Sequence, residues 1–132
     1  MADQTRPRVL VVDDNHDNAD IIRDYLASQN YTVDVAYDGD EALRLFEKLR
    51  PPIVLLDVMM PGRDGWEVCR EMKQHAGYGR SVRVIMVTAL HDWVDKRQAI
   101  QSGADDFIEK PFELARLGEA VERNARRLSV TP

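Results

Sequence analysis

One stretch decides the fold, Ile53-Val54-Leu55-Leu56-Asp57, in which four apolar residues end on an acid. Two similar apolar runs occur elsewhere in the chain, Val9-Leu10-Val11-Val12 and Val84-Ile85-Met86-Val87. All three runs are short, rich in β-branched residues and without alternation, which is typical of strands covered on both faces. They are predicted to be the central strands of a parallel sheet.

Helical patterns and two weaker strands fill the intervals. Residues 31–35 alternate between apolar and polar types, and Phe107-Ile108 is an apolar pair among acids, so both are predicted to be edge strands. Apolar residues repeat at helical spacing over residues 19–26, 42–49, 65–72 and 114–128, and more weakly over residues 93–102. The sum is five βα units, which predicts a doubly wound α/β fold around a five-stranded parallel sheet.

Length and composition limit the domain organisation. The 132 residues, 44% of them hydrophobic, can build one core but not two, so we expect one domain over residues 1–128 and a short tail over 129–132. No apolar run approaches the roughly 18 residues that span a bilayer, and we expect a cytoplasmic protein without membrane contact. The net charge of -5 argues against nucleic-acid binding by this domain, and the single cysteine, Cys69, is predicted to be buried filler.

Charged and hydroxyl side chains follow four of the predicted strands. Asp13 and Asp14 come after the first strand, Asp57 ends the third, Thr88 ends the fourth and Lys110 follows the fifth. Ligands of open α/β sheets bind beyond the carboxyl ends of the strands. If the strand order is 2-1-3-4-5, the three acids converge there, and their mutual repulsion calls for a cation. Oxygen ligands without histidine or thiol favour Mg²⁺ or Mn²⁺ over zinc.

The same group of residues has the composition of a phosphoryl acceptor. With a cation in place, the Asp57 carboxylate can act as a nucleophile toward a phosphoryl group. Lys110 supplies an ammonium that neutralises phosphoryl oxygens, and the Thr88 hydroxyl can donate a hydrogen bond to one of them. Asp57, Thr88 and Lys110 are therefore the predicted catalytic residues.

Four segments carry a resemblance to a known family. They are residues 11–15 (VVDDN), 56–65 (LDVMMPGRDG), 87–89 (VTA) and 103–112 (GADDFIEKPF). In this order, and over nearly the whole chain, they resemble the receiver domains of two-component response regulators, those of chemotaxis regulators among them. The resemblance implies the flavodoxin-like (βα)5 receiver fold with strand order 2-1-3-4-5.

The resemblance also implies a chemistry for the acidic cluster. Asp57 would accept a phosphoryl group from a histidine kinase or a histidine phosphotransfer protein. Asp13, Asp14 and Asp57, together with the backbone carbonyl of Met59, would hold Mg²⁺. The protein would then be a signalling switch that catalyses only its own phosphotransfer and a slow autodephosphorylation.

Further residues correspond to the switch of this family. The Thr88 hydroxyl would move toward the phosphoryl group and the ring of Phe107 would follow it inward. The Lys110-Pro111 peptide bond would be cis. The predicted output surface combines the fourth helix, the fifth strand and the fifth helix, and its target would be an effector protein or a C-terminal output domain missing from this chain. For the oligomeric state, we expect a monomer or a dimer that forms on phosphorylation.

Other interpretations of these residues stay open. Asp13 and Asp14 precede a helix, where an acid often only caps the helix, although Asn15 can be the cap instead. A haloacid-dehalogenase-like phosphohydrolase also forms an aspartyl phosphate, but such enzymes need a second acid where this chain has Met59. A flavodoxin-like cofactor binder would use the same crevice, yet the loop after the first strand is acidic and contains no glycine to bind a phosphate. Met59 and Leu90 are apolar at two positions that tune water access in receivers, so we expect a long-lived phosphoryl state.

Overall fold

The computed structural model describes residues 6–88, 97–98 and 100–129. Its five strands form one parallel sheet in the order β2-β1-β3-β4-β5, which confirms the predicted topology. The strands are β1 (Arg8–Val12), β2 (Thr32–Ala36), β3 (Ile53–Asp57), β4 (Arg83–Thr88) and β5 (Asp106–Glu109).

Four helices are described along the chain. They are α1 (His16–Ser28), α2 (Gly39–Leu49), α3 (Gly65–Lys73) and α4 (Leu114–Ser129). The last of these, α4, corresponds to the fifth predicted helix. Half of the fourth predicted helix, residues 93–96 and 99 of 93–102, lies outside the described residues, whereas residues 97, 98, 100 and 101 are helical. None of the helices in the described ranges has both the length and the apolarity to cross a membrane.

The central strands are buried on both faces, which explains their unbroken apolar runs. Every residue of β3 is buried. Alternate side chains of the strands contribute to two separate cores, one beneath α2 and α3 and the other beneath α1 and α4. In β3, Val54 and Leu56 belong to the first core, whereas Ile53 and Leu55 belong to the second. A strand in this position has no polar face, and its unbroken apolar run without alternation is the sequence feature that identifies it as central.

The edge strand β5 differs from the central strands. Ile108 is buried, whereas the side chain of Phe107 is 46% exposed. Asp106, the first residue of β5, accepts hydrogen bonds from the side chains of Arg123 and Asn124 on α4, each at 3.0 Å. These contacts fix the start of β5 to the last helix and leave the outer face of Phe107 open.

Side-chain caps define the starts of the first three helices. Asn15 accepts a hydrogen bond from the backbone N–H of Asn18 at 2.9 Å and is the N-cap of α1. Asp38 and Asp64 cap α2 and α3 in the same way. Since Asn15 caps α1, Asp13 and Asp14 are not needed for that role.

The only cysteine of the chain lies inside the first core. Cys69 on α3 has no exposed surface, and its Sγ is 3.5 Å from the backbone carbonyl oxygen of Ser102. Burial raises the pKa of the Cys69 thiol to about 11. The prediction that Cys69 is buried is confirmed.

Gly65 is predicted to be essential for the close contact between α3 and the end of β3. A Cβ atom at Gly65 would lie 2.2 Å from the carbonyl oxygen of Asp57 and 2.7 Å from the Cα of Val58. Because both of these atoms are backbone, Gly65→Ala should lower the free energy of unfolding by about 1–3 kcal/mol. Urea denaturation followed by circular dichroism measures this change. Gly77→Ala is the matched control, since a Cβ atom there would come no closer than 3.7 Å to any neighbour, and a Gly65→Ala protein as stable as this control would contradict the prediction.

Candidate functional site

Three acidic side chains meet where β1 and β3 end. Val12 of β1 pairs with Leu56 of β3, so the residues that follow them, Asp13 and Asp57, lie side by side. Carboxylate oxygens of Asp13, Asp14 and Asp57 all lie within 4.8 Å of one another. Asp13 is 5% exposed and Asp57 is 4% exposed, whereas Asp14 is exposed. Two of the three acids are therefore removed from water.

The two oxygens of Asp57 have different surroundings. Its Oδ1 lies 3.2 Å from the Lys110 Nζ and accepts a hydrogen bond, also at 3.2 Å, from the backbone N–H of Met59. Within the described part of the chain, its Oδ2 accepts no hydrogen bond. The described contacts therefore hold Oδ1 between Lys110 and the backbone that follows β3.

Ionisation of the Asp13 carboxyl group is unfavourable in the folded protein. Burial raises the pKa of its carboxyl group, although the backbone N–H of Asn15, which donates to its Oδ1 at 2.9 Å, acts in the opposite direction. The neighbouring Asp57 and Asp14 carboxylates raise the Asp13 pKa further. The opposing effect of Lys110 does not cancel these contributions.

The donor atoms of the cluster suit a hard divalent cation. All three side chains offer carboxylate oxygens, and in the part of the chain that the structure describes neither a histidine nitrogen nor a thiol belongs to the group. Among the described residues Lys110 is the ammonium paired with Asp57, and its single charge does not balance three carboxylates. Oxygen donors with surplus negative charge are what Mg²⁺ binds in proteins, so these residues fit the predicted ion.

Backbone contacts bring the ends of β4 and β5 to the same edge of the sheet. Asp57 pairs with Val87, so Thr88 lies one residue beyond the level of Asp57, and it is 4% exposed. The backbone N–H of Lys110 donates to the carbonyl oxygen of Thr88 at 2.8 Å. The Lys110–Pro111 peptide bond is cis.

The remaining predicted site residues have less enclosed positions. The side chain of Met59 is 75% exposed, and Phe107 is nearly half exposed on β5. No hydrogen bond joins the Thr88 hydroxyl to Asp57 among the described residues. Leu90 lies outside the described residues.

A groove leads from solvent to the acidic cluster. Its volume is about 660 Å³, and its walls include Asp13 and Lys110 together with apolar residues of α1 and the segment that follows β5. Ile21 on α1 is 53% exposed beside this groove. Sequence inspection missed this feature, because an exposed apolar residue at one helical position gives no pattern that distinguishes it from chance.

Comparisons with known proteins agree with this site and fold. The family model described as "Response regulator receiver domain" matches residues 9–122. A receiver domain of a signal transduction histidine kinase from Syntrophus aciditrophicus is 32% identical, with a TM-score of 0.87 over 96% of this chain and 95% of that one. The chemotaxis protein CheY4 of Vibrio cholerae is 27% identical, with a TM-score of 0.84 over 90% of this chain and 98% of that one.

A longer protein also matches. NtrX from Brucella abortus is 32% identical, with a TM-score of 0.83, and the match covers 96% of this chain but 28% of that one. The chain belongs to the response regulator receiver domain family of two-component signalling. The solved structures that it resembles include a chemotaxis protein.

Stability of the metal-free protein should depend on the charge of Asp13. Because the pKa of Asp13 in the folded protein lies above its ordinary value of 3.8, its favourable contribution is present below pH 3.8 and is lost as pH rises through the raised pKa. At neutral pH the ionised carboxylate therefore destabilises the fold. We expect Asp13→Asn to raise the free energy of unfolding at pH 7 and to leave it unchanged near pH 3.

Urea denaturation in the presence of EDTA at the two pH values measures this effect. The exposed Glu119 on α4 provides a matched control, since Glu119→Gln removes the same charge far from a buried carboxylate cluster. A gain for Asp13→Asn that is equal at pH 3 and pH 7 would show that ionisation of Asp13 is not the cause.

Proposed function

We propose that this receiver domain is a phosphorylation switch in which Asp57 accepts a phosphoryl group from a histidine kinase or a histidine phosphotransfer protein. One observation carries this proposal, the placement of the buried Asp57 carboxylate beside both the Lys110 ammonium and the Asp13 and Asp14 carboxylates. Lys110 and the Met59 N–H hold Oδ1, which leaves Oδ2 as the nucleophile.

Phosphoryl transfer needs positive charge around Asp57. The side chains of Asp13, Asp14 and Asp57, with the backbone carbonyl of Met59, would hold Mg²⁺, which when bound neutralises charge on the transferred phosphoryl group. Their close grouping and the raised pKa of Asp13 support this assignment. The metal would also relieve the repulsion between the carboxylates.

The residues of the chain divide the work of transfer. A bond forms between Asp57 Oδ2 and phosphorus while the bond between phosphorus and the donor histidine nitrogen breaks, and the nitrogen keeps the electron pair. The Lys110 ammonium neutralises negative charge on the phosphoryl oxygens. The Thr88 hydroxyl donates a hydrogen bond to one of those oxygens, so its position depends on whether Asp57 is phosphorylated.

The groove beside the cluster suits a protein donor. Asp57 is almost fully buried, so a donor histidine has to approach along the open side, where Ile21 and Phe112 offer apolar contact and Lys110 lies at the end. Ile21, Phe112 and Leu114 together give the groove a continuous apolar wall beside the reactive site, which a partner can cover. This arrangement supports docking of a kinase or phosphotransfer protein over α1.

Movement of Thr88 would be passed to Phe107. The two residues lie at the end of β4 and on the neighbouring strand β5, and the half-exposed ring of Phe107 would move inward when Thr88 moves. A second groove of about 720 Å³ borders Phe107, Phe112 and Arg116 of the β5–α4 face. We propose this face, together with the fourth predicted helix, as the output surface, whose state depends on the position of the ring.

The output itself is an effector protein or a C-terminal output domain. The match to a protein more than three times as long, NtrX, supports the second option. We take residues 1–128 as the receiver unit and 129–132 as the tail, and we propose a cytoplasmic protein that is a monomer or dimerises on phosphorylation. The domain would not bind nucleic acid itself, in keeping with its net charge of -5.

Incubation with acetyl phosphate and Mg²⁺ should add one phosphoryl group to the protein. Intact-mass spectrometry measures the gain, which should vanish with EDTA and with Asp57→Asn. Asp64→Asn is the matched control, because Asp64 is an acid of the same loop that caps α3 and takes no part in the proposed chemistry. No mass gain, or an equal gain in the Asp57→Asn protein, would refute the proposed function.

The phosphoryl state should decay slowly, with a half-life well beyond seconds. The apolar Met59 side chain at the mouth of the site cannot hold an attacking water by a strong hydrogen bond, and Leu90 is apolar at the second tuning position. Decay is measured by intact mass after removal of the phosphodonor. Met59→Asn places an amide at the same exposed position and should shorten the half-life several-fold. Decay within seconds in the unchanged protein would contradict this expectation.

A further inference from the structure

The loop between β3 and α3, residues 58–64, carries the Met59 backbone and is anchored to the sheet near its start and its end. Met60 is buried at 8% exposure, and the N–H of Gly65 donates to the carbonyl oxygen of Val58 at 2.9 Å. Both contacts anchor the loop from the side of the sheet. Gly62 adopts a φ of 83° in the middle of the loop, where the backbone turns away from the core.

Arg63 anchors the far side of the loop to two helices. Its Nε lies 3.1 Å from Asp40 Oδ1 in the first turn of α2, and its Nη1 donates to Glu71 Oε2 on α3. The Glu71 contact is also the main reason why the pKa of Arg63 is raised. One guanidinium thus connects α2, the loop and α3.

The hydrocarbon part of Arg63 makes a close contact as well. A Cβ atom added to Gly39 would lie 3.1 Å from Cβ and 3.4 Å from Cδ of Arg63. The stem of the arginine therefore packs onto the backbone at the first residue of α2, and only glycine leaves this space open. Contact through both the stem and the charged end holds the side chain in one position.

We propose that Arg63 is a positioning residue for the metal site. By fixing the outer side of the loop to α2 and α3, it holds the Met59 backbone where its N–H meets Asp57 Oδ1 and where its carbonyl can serve Mg²⁺. This inference rests on the proposed function. Arg63 makes no contact with Asp13, Asp14 or Asp57 among the described hydrogen bonds and ion pairs, so its effect is exerted through the loop.

The direction in which the Mg²⁺ affinity changes when Arg63 is replaced distinguishes a positioning role from simple electrostatics. Loss of a positive charge near a cation site strengthens cation binding by Coulomb's law. Loss of the ion pairs that fix a ligand-bearing loop weakens cation binding, because the loop then has to be ordered when the ion binds. Arg63→Gln should therefore raise the Mg²⁺ dissociation constant, by about three- to tenfold if two partly exposed ion pairs are removed.

Equilibrium Mg²⁺ titration tests the proposal in the purified full chain. Trp66 is 6% exposed at the start of α3, directly after the loop, and Trp93→Phe makes it the sole tryptophan, so its fluorescence reports the loop. Arg44→Gln is the matched control, since Arg44 is an exposed arginine of α2 with no ion pair among the described residues. The control should bind Mg²⁺ as the parent protein does.

A second measurement does not need the metal. Hydrogen–deuterium exchange of the metal-free Arg63→Gln protein should be faster for the amides of residues 58–64 than in the parent and unchanged in β1 and β3. Arg63→Lys, which can reach only one of the two acids at a time, should give an intermediate Mg²⁺ affinity. At saturating Mg²⁺ the Arg63→Gln protein should be phosphorylated by acetyl phosphate at nearly the parent rate.

The outcomes are distinct. Unchanged or tighter Mg²⁺ binding by Arg63→Gln, with the parent protein binding normally, overturns the positioning role. A lower phosphorylation rate that saturating Mg²⁺ does not restore also overturns it. If the parent protein itself neither binds Mg²⁺ nor is phosphorylated, the proposed function fails instead. Should Arg63→Gln not fold, Glu71→Gln removes one of the two ion pairs from the other side and should again quicken exchange in the loop.

Discussion

Repulsion between buried carboxylates is the constraint on which the rest of this structure depends. Asp13 and Asp57 are placed side by side by the pairing of β1 with β3, and both are nearly out of contact with water. The unfavourable proximity persists because the two strands carry the main cores of the protein and cannot separate. Packing energy from the apolar strands thus keeps the acids together, and the site is left with a demand for positive charge that Lys110 meets only in part.

The topology of the sheet explains how distant segments supply that charge. In the order β2-β1-β3-β4-β5 the acids end the middle strands, while Thr88 and Lys110 end the next two strands on one side. The hydrogen bond from the Lys110 backbone to Thr88 links the last two components. A residue more than fifty positions from Asp57 in the chain therefore approaches it without any local motif.

Sequence predicted the strands well because of their burial. Runs such as Ile53 to Leu56 have no polar face, and only a central parallel strand tolerates this, so the central position and parallel direction followed from the residues. The strand order 2-1-3-4-5 was implied by the family resemblance. The start of α1 was also readable, since Asn15 caps α1 as one of the alternatives proposed. The unequal surroundings of the Asp57 oxygens and the clamp made by Arg63 were not readable. Both depend on side chains that meet only after the helices have packed, and no periodicity records such contacts.

The burial of the single cysteine determines how the protein reacts with oxidants. Cys69 is enclosed within α3 and the first core, and its raised pKa keeps the thiol protonated at physiological pH. A protonated, enclosed thiol is a poor target for peroxide or disulfide exchange. The thiol of this receiver is therefore protected from oxidants. A cysteine introduced at an exposed position such as Phe107 would then be the one thiol that a spectroscopic label can reach.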